Sequence, residues 1–316
     1  MIIIVMVIPF VITACRRKKS PTMSQSSNAV PTIELGEVEY IDEPDFSLEE
    51  GAADGHIGSV EIDGADCPLL LYEGITYFVK NNEAWVVNSL FSDETLEDIV
   101  IKDRIAYGEQ AVVVTGIYDQ AFYYYDQTVR ITLPSTIKNI GICAFDSCEL
   151  LEEINLPEGL KTIGDSAFNE CTSLKEITIP STAGNLGSDL FFGCTSLESV
   201  TFSEGITSIP FGTFSNCESL KQVSLPSTLT VIGDEAFWYC EALDRIDLPE
   251  GLNVIGNRCF YDCTSLTEIK LPAALSSVGD GLFDYCDSLE TVYVPNDRTG
   301  FYQELFEFDD FEVKGY

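Results

Sequence analysis

The chain has 316 residues, of which 52 are acidic and 17 are basic, so its formal net charge at neutral pH is −35. A surface with this charge repels nucleic acid and anionic lipid headgroups, which argues against a nucleic-acid partner. The apolar residues make up 45% of the chain, an ordinary fraction for a folded protein.

The N-terminus is almost entirely apolar for fourteen residues and then reads Ile12-Thr13-Ala14-Cys15. The run is too short to span a bilayer as a helix, but it fits the apolar region of a signal peptide. The residues before the cysteine resemble a bacterial lipobox, which implies that Cys15 carries a lipid. We therefore predict that residues 1–15 are a lipoprotein-type signal segment, and that the protein is anchored to a bacterial cell surface only through this lipid.

Two alternatives to a lipid anchor stay open. Four basic residues follow the apolar run at positions 16–19, whereas a signal peptide carries its basic residues before that run. This order is compatible with a start codon further upstream. The alternatives are a secreted protein without an anchor and, less favoured, a cytosolic protein whose N-terminus is apolar by chance.

Residues 16–65 are predicted to be a disordered, acidic tether. Ser, Pro and Gln dominate positions 20–31, and no Lys or Arg occurs among the twelve acidic residues between Glu34 and Asp66. Because such a segment repels itself and has little apolar surface to bury, it favours an extended spacer over a metal site.

Residues 66–101 are predicted to form a β-rich N-terminal cap. The stretches 69–72, 75–79 and 84–87 are rich in β-branched and aromatic residues, and Glu73-Gly74 and Asn81-Asn82 mark turns between them. The next segment, 102–133, is nine residues longer than the units that follow it. We predict that it is a repeat with a hairpin-like insertion around residues 107–112.

A strict period of 23 residues governs the rest of the chain. It repeats a phenylalanine and, three residues later, a cysteine. The phenylalanines are Phe145, Phe168, Phe191, Phe214, Phe237, Phe260 and Phe283, and the cysteines are Cys148, Cys171, Cys194, Cys217, Cys240, Cys263 and Cys286. Such a period predicts a solenoid, in which each coil is stable only against its neighbours. Residues 102–294 then contain eight units, and 295–316 form a C-terminal cap.

The unit at 157–179 illustrates the predicted coil. Ile177 and Ile179 alternate with polar residues, which indicates a strand with one buried face, and a proline ends it. Ile163-Gly164 predicts a second short extended piece. Asp165 is placed to cap a single helical turn whose Phe168 faces the core. The fold class is therefore an α/β, β-rich solenoid with a parallel sheet and one short helical turn per coil.

This pattern resembles the leucine-rich repeats of the BspA-like, or Treponema pallidum-type, family. The resemblance rests on the LxxIxLP stretch, the Ile-Gly pair, the Ala-Phe pair and the following cysteine, from about residue 69 onward. It implies a bacterial surface or secreted protein with a role in adhesion or host interaction. Ser203 replaces the proline and Pro210 replaces the turn glycine in one unit, so we expect local irregularity between Ser203 and Thr213.

The cysteine column is predicted to pack in the core as small apolar side chains. A metal site would need clustered ligands such as a CxxC pair, and none occurs. A disulfide ladder would leave one of the seven unpaired. Cys67, outside the column, is the cysteine we expect to be most exposed. No cofactor or metal is predicted.

No catalytic constellation is apparent in the sequence. The only histidine, His56, has no serine or cysteine nucleophile assigned to it, and no phosphate-binding glycine motif occurs. We therefore expect a protein that is not an enzyme, and a secreted hydrolase is the least favoured alternative.

The variable columns of the array hold the candidate binding residues. The outward strand positions carry an unusual charged and aromatic group near the C-terminal end: Arg245, Asp247, Glu268, Lys270 and Tyr293. A second group follows the core phenylalanines and includes Trp238, Tyr239, Tyr261 and Tyr285, with related aromatic residues at 123–125 and 192. Neither group needs a binding role to explain it. The residues of the first group could occur there because they suit exposed strands, and those of the second because they pack between adjacent turns.

These residues lead to two binding hypotheses. The favoured one is a surface-anchored repeat protein, monomeric, that binds a host or other cell-surface protein. The alternative is a carbohydrate- or cell-wall-binding module that uses the exposed aromatic side chains.

Overall fold

A computed structural model describes residues 56–87, 96–306 and 310–316 of the chain. The predictions for Cys15, for the signal segment and for the tether up to residue 55 fall outside these residues. Within the described part of the chain, no helix has the length and apolar character needed to cross a lipid bilayer.

The N-terminal cap is an antiparallel sheet of four strands. These are β1 (His56–Ile62), β2 (Ala65–Tyr72), β3 (Ile75–Lys80) and β4 (Glu83–Val86). The predicted turns are present: Asn81 and Asn82 have φ of 52° and 63°, the left-handed conformation that tight hairpin turns require. The structure corrects the sequence prediction at β1, which lies within the segment predicted as tether and pairs with β2.

The next segment contains β5 (Asp98–Val100), β6 (Arg104–Tyr107) and β7 (Gln110–Ile117). β6 and β7 form an antiparallel hairpin, with Tyr107 opposite Gln110. This hairpin lies where the insertion was predicted. β7 also pairs in parallel with β4, so the cap sheet continues directly into the array.

The coils of the array contribute strands to two parallel ladders, except that the coil containing residues 244–248 has no strand in the first ladder. In chain order the strands are β8 (Arg130–Thr132), β9 (Asn139–Ile140), β10 (Glu153–Ile154), β11 (Thr162–Ile163), β12 (Glu176–Ile179), β13 (Asn185–Leu186), β14 (Ser199–Phe202), β15 (Ser208–Ile209), β16 (Gln222–Ser224), β17 (Val231–Ile232), β18 (Val254–Ile255), β19 (Glu268–Lys270), β20 (Ser277–Val278) and β21 (Thr291–Val294). Partner residues are 23 positions apart, as in the pair Ile177↔Val200. The predicted parallel solenoid of 23-residue units is confirmed.

The turn that carries the core phenylalanine is not a regular helix. Ser166 and Glu170 both have φ of 53°, on either side of Phe168, and the same alternation recurs in the other coils. The backbone N–H groups of all three residues donate to carbonyls of the next coil at 2.7–2.9 Å. Asp165 does not cap a helix; its Oδ1 accepts a hydrogen bond from the backbone N–H of Ser188, also in the next coil, at 2.8 Å. The turns thus form a third connection between coils.

The phenylalanines form one continuous stack through the core. Neighbouring rings from Phe122 to Phe283 have centroids 5.2–6.0 Å apart and planes within 19° of parallel. All but Phe283, which is 5% exposed, have no measurable exposure. Because each ring contacts the rings before and after it, the burial of every phenylalanine depends on both neighbouring coils.

The second ladder is interrupted where the sequence departs from the repeat. Between other coils, a glycine N–H donates to the isoleucine carbonyl of the preceding coil, as Gly187 does to Ile163 at 2.8 Å. Pro210 occupies the equivalent position and has no N–H. β13 and β15 are accordingly not paired with each other. This confirms the irregularity predicted between Ser203 and Thr213.

The C-terminal cap consists of a 3₁₀ turn (Asn296–Arg298), α1 (Thr299–Leu305) and β22 (Glu312–Gly315). β22 extends the sheet by pairing in parallel with β21. The ring centroids of Phe306 and Phe311 lie 5.6 and 5.7 Å from that of Phe283, so the two rings cover the last member of the phenylalanine stack.

Candidate functional site

The charged residues predicted on the strand face lie together around one cavity of about 390 Å³. Its lining comprises Arg245, Ile246, Asp247, Leu248, Glu250, Glu268, Ile269, Lys270 and Tyr293. All five strand-face residues singled out from the sequence are among them. We call Arg245, Asp247, Glu268, Lys270 and Tyr293 the strand-face patch.

The first strand ladder is interrupted twice within the array, between β10 and β12 and between β16 and β19, and the cavity lies at the second interruption. Residues 244–248 form no strand, so β16 and β19, which flank them in the array, have no strand between them. The second ladder remains intact across the same coils, since β15 pairs with β17 and β17 with β18. The opening is therefore confined to the strand face.

Arg245 and Asp247 form an ion pair at the mouth of the cavity. The guanidinium donates from Nη2 to both carboxylate oxygens, at 2.9 and 3.1 Å, and from Nε to Oδ1 at 3.2 Å. This hydrogen bonding raises the pKa of Arg245, so the side chain stays charged. The two residues alternate around buried Ile246, which places both side chains on the outer face.

Lys270 is held from two sides. Its Nζ donates to Glu250 Oε1 at 2.8 Å and lies 4.2 Å from the centre of the Tyr316 ring. The hydrogen bond to Glu250 raises the pKa of Lys270. Tyr316 is itself anchored by a hydrogen bond from its hydroxyl to the Leu271 carbonyl at 3.0 Å. The C-terminal residue of the chain thus supports the patch.

Glu268 differs from the other charged residues of the patch because it takes part in no ion pair within the described residues. It is exposed on β19, in register with Thr291 of β21. Tyr293, opposite Lys270 on β21, is half-buried. An unpaired carboxylate and an aromatic ring therefore face the same cavity.

The aromatic residues predicted as a second site form a contiguous row, the aromatic ridge, of Trp238, Tyr239, Tyr261 and Tyr285. Neighbouring ring centroids are 4.3–6.2 Å apart. Tyr285 is 63% exposed, but the other three are half-buried against one another. Tyr239 and Tyr285 occupy left-handed turn positions, with φ of 58° and 63°. Packing between adjacent turns, rather than exposure to a ligand, therefore accounts for most of the aromatic ridge.

The sequence prediction differs from the structure for residues related to both groups of candidate binding residues. Tyr125, expected to be exposed with Tyr123 and Tyr124, is buried at 2% exposure and contacts the Phe122 ring. Glu250 and Tyr316 were not singled out, because each reaches Lys270 from a different part of the chain. The spacing of Lys270 and Glu250, 20 residues, gives no periodic signal.

The cysteine column has the structural role expected for it. Each of the seven thiols donates to the carbonyl of the phenylalanine 26 residues earlier, at 3.0–3.2 Å, as Cys171 does to Phe145. None of the cysteines in the described part of the chain is in a disulfide. Burial raises the pKa of Cys171 well above its ordinary value and that of Cys286 to about 12. The thiolate needed for nucleophilic chemistry is therefore disfavoured.

The prediction that Cys67 is exposed is wrong. Cys67 lies on β2 at 2% exposure, in a second, smaller core with Val60, Leu69 and Phe78. Its thiol donates to the Ala65 carbonyl at 3.4 Å, and burial raises its pKa. Among the described residues, no group of three or more His, Cys, Asp or Glu side chains is placed to hold a metal ion.

Comparisons with known proteins are consistent with this architecture. A family model described as the BspA type leucine rich repeat region matches residues 115–243 and 184–311, in six copies. None of the curated proteins matches the chain.

Several solved structures are similar. A leucine-rich repeat protein of T. pallidum is 26% identical, with a TM-score of 0.52, over 78% of this chain and 99% of that chain. One from Eubacterium ventriosum is 24% identical, with a TM-score of 0.50, over 60% of this chain and 59% of that chain. A leucine rich cell surface protein of Faecalibacterium prausnitzii is 20% identical, with a TM-score of 0.49, over 78% and 95% of the two chains.

Proposed function

The chain belongs to the BspA type leucine-rich repeat family, and from that premise we propose that it is a non-catalytic, surface-anchored protein that binds another protein through the strand-face patch. The observation that carries this proposal is the cavity on the strand face, which is lined by exposed side chains of both charges and by a half-buried aromatic ring. Protein interfaces combine such aromatic and arginine contacts with a polar rim.

The absence of catalysis in this proposal is supported by the state of the reactive groups. The ladder thiols are buried and have raised pKa values. At the cavity, Asp247 and Glu250 are engaged with Arg245 and Lys270, and so are not a pair of free carboxylates poised for acid–base chemistry. A repeat array with a variable outer face suits recognition better than turnover.

Glycan binding by the aromatic ridge is the second candidate. It is favoured by the row of touching rings across three coils and by the strong exposure of Tyr285. The ridge rings are largely packed against each other, however, which leaves few ring faces open for stacking on a sugar. We therefore rank it below the strand-face patch.

Arrays of surface proteins and of glycans, probed with the full chain, separate the two candidates. We expect protein ligands whose affinity falls about tenfold or more in the triple variant Arg245→Ala/Asp247→Ala/Lys270→Ala, because it removes the exposed charges of the patch. The matched control, Trp238→Ala/Tyr239→Ala, should bind these ligands as the parent does. Glycan binding that is lost in the ridge variant and kept in the patch variant would reverse the ranking.

Surface anchoring through Cys15 is proposed from the apolar run that precedes it. In a bacterial host, radiolabelled palmitate should be incorporated into the full chain and not into Cys15→Ser, since the thiol is the acceptor. A Cys67→Ser variant serves as the control and should still be labelled. Absence of label in the parent protein would refute the anchor and favour secretion.

A further inference from the structure

We infer that the strand-face cavity receives an arginine side chain of the partner protein, with its guanidinium group between Glu268 and Tyr293. The inference rests on the proposed function and specifies the chemistry of the partner. It follows from the charged side chains around the cavity, from its apolar base and from the Tyr293 ring at its edge.

One acidic side chain of the cavity, Glu268, is in no ion pair in the part of the chain that the structure describes; its charge acts on Arg245 from beyond ion-pair distance. Two basic and three acidic side chains line it, and the basic ones are already engaged: Arg245 with Asp247, and Lys270 with Glu250. Glu268 makes no ion pair within the described residues, and the chain as a whole carries a charge of −35. A cationic group is therefore complementary to the cavity, whereas an anionic group would be repelled.

The floor of the cavity is apolar. Ile246 and Ile269 are buried, at 4% and 2% exposure, and Leu248 is half-buried. The volume of about 390 Å³ lies at the small end of the range for ligand cavities, roughly 300–1,000 Å³. Such a site suits a long side chain whose methylene groups cover the isoleucines while its charged end reaches the rim.

The aromatic ring decides between arginine and lysine. Tyr293 borders the same cavity as Glu268, from the next coil. A guanidinium group is planar, so it can stack on a tyrosine ring and donate two hydrogen bonds to one carboxylate, which an ammonium group cannot do. Lys270 already shows that a cation is tolerated over a ring here, since its Nζ lies 4.2 Å from the centre of the Tyr316 ring.

The test uses the full chain with ¹³C-labelled isoleucine methyl groups and, as the probe, N-acetyl-arginine N-methylamide. The methyl signals of Ile246 and Ile269, assigned through Ile246→Val and Ile269→Val, should shift on titration and saturate. N-acetyl-citrulline N-methylamide, which has nearly the same shape but no charge, should produce no saturable shift. Equal shifts with both probes would overturn the inference.

Variants locate the contact. We expect Glu268→Gln to weaken binding of the arginine probe about five- to tenfold, and Tyr293→Leu to weaken it while Tyr293→Phe retains it. Glu176→Gln, at the equivalent position of β12 four coils earlier and away from the cavity, is the control and should bind as the parent does. Unchanged affinity in Glu268→Gln, with methyl spectra that otherwise superpose, would refute the arginine site.

The outcome also separates this inference from the proposed function. Protein ligands that lose affinity in the patch variant but are indifferent to Glu268→Gln would leave the proposed function standing and refute the arginine site. Protein ligands that are indifferent to both would refute the proposed function itself.

Discussion

Replacing Phe191 by alanine is expected to lower the free energy of unfolding by about 3–5 kcal/mol, the usual loss when a large aromatic side chain is removed from a core. Phe191 has no measurable exposure, and its ring stacks between those of Phe168 and Phe214 at 5.3 and 5.6 Å. The substitution thus removes contacts with both neighbouring coils at once. Because each coil is stable only against its neighbours, the array has little capacity to close the resulting space.

Urea denaturation of the full chain, followed by circular dichroism, measures this loss. Phe192→Ala is the matched control, since Phe192 is the next residue, is only half-buried and lies outside the phenylalanine stack. It should cost far less than Phe191→Ala. A loss below about 1 kcal/mol for Phe191→Ala, or equal losses for the two variants, would contradict the view that the stack joins the coils.

Replacing Gly187 by alanine is expected to destabilise the chain by about 1–3 kcal/mol, the usual range for overpacking. A Cβ atom at this position would lie 2.3 Å from the backbone nitrogen of Asp165 and 2.5 Å from the carbonyl carbon of Gly164. Both are main-chain atoms of the preceding coil, so no side chain can rotate away. The coils must separate, which strains the hydrogen bond from Gly187 to Ile163.

Gly184, three residues earlier, provides the control. A Cβ added there meets no atom within 4 Å, and its backbone has no positive φ. Gly184→Ala should therefore be neutral or stabilise the chain by up to about 1 kcal/mol, through the lower entropy of the unfolded state. Thermal unfolding of both variants gives the comparison. Similar effects of the two substitutions would show that the close approach of coils is not what requires glycine at Gly187.

The coil that contains Pro210 already shows the consequence of losing this glycine. Pro210 occupies the position equivalent to Gly187, lacks the N–H group and carries a Cβ atom. The second ladder is interrupted there, between β13 and β15. The array tolerates one such interruption because the first ladder still pairs β14 with β16 in the same coils. Gly187→Ala would disturb the second ladder at the adjacent pair of coils, and its unfolding free energy measures the effect of this second disturbance.

Much of the fold was accessible from the sequence because its determinants repeat. Phe168 and Cys171 recur every 23 residues, so the alignment of the chain with itself gives the register of the ladders directly. Asn81-Asn82 gave the hairpin turn for a local reason, since asparagine tolerates the left-handed conformation. The insertion at β6 and β7 followed from counting nine extra residues against a constant period.

The candidate site could be predicted from the sequence only in part. Alternation along the strands predicts that Arg245, Asp247 and Lys270 point outward, and they do. The cavity between them depends on the loss of the strand at residues 244–248, which is a property of hydrogen bonds between coils. The pairing of Lys270 with Glu250 and Tyr316 joins residues at unrelated positions of the repeat. Such pairings leave no trace in a periodic pattern.

The sequence by itself determined the period, the identity of the core columns and the outward positions, because these depend on which side chains one coil must bury. Only the tertiary structure decided how the coils meet. Ser166 and Glu170 are not glycines, yet they take left-handed conformations because their N–H groups must reach the next coil. Cys67 is buried because a second small core forms around it. The strand-face cavity lies where residues 244–248 form no strand while the second ladder stays paired, and both features depend on hydrogen bonds between coils.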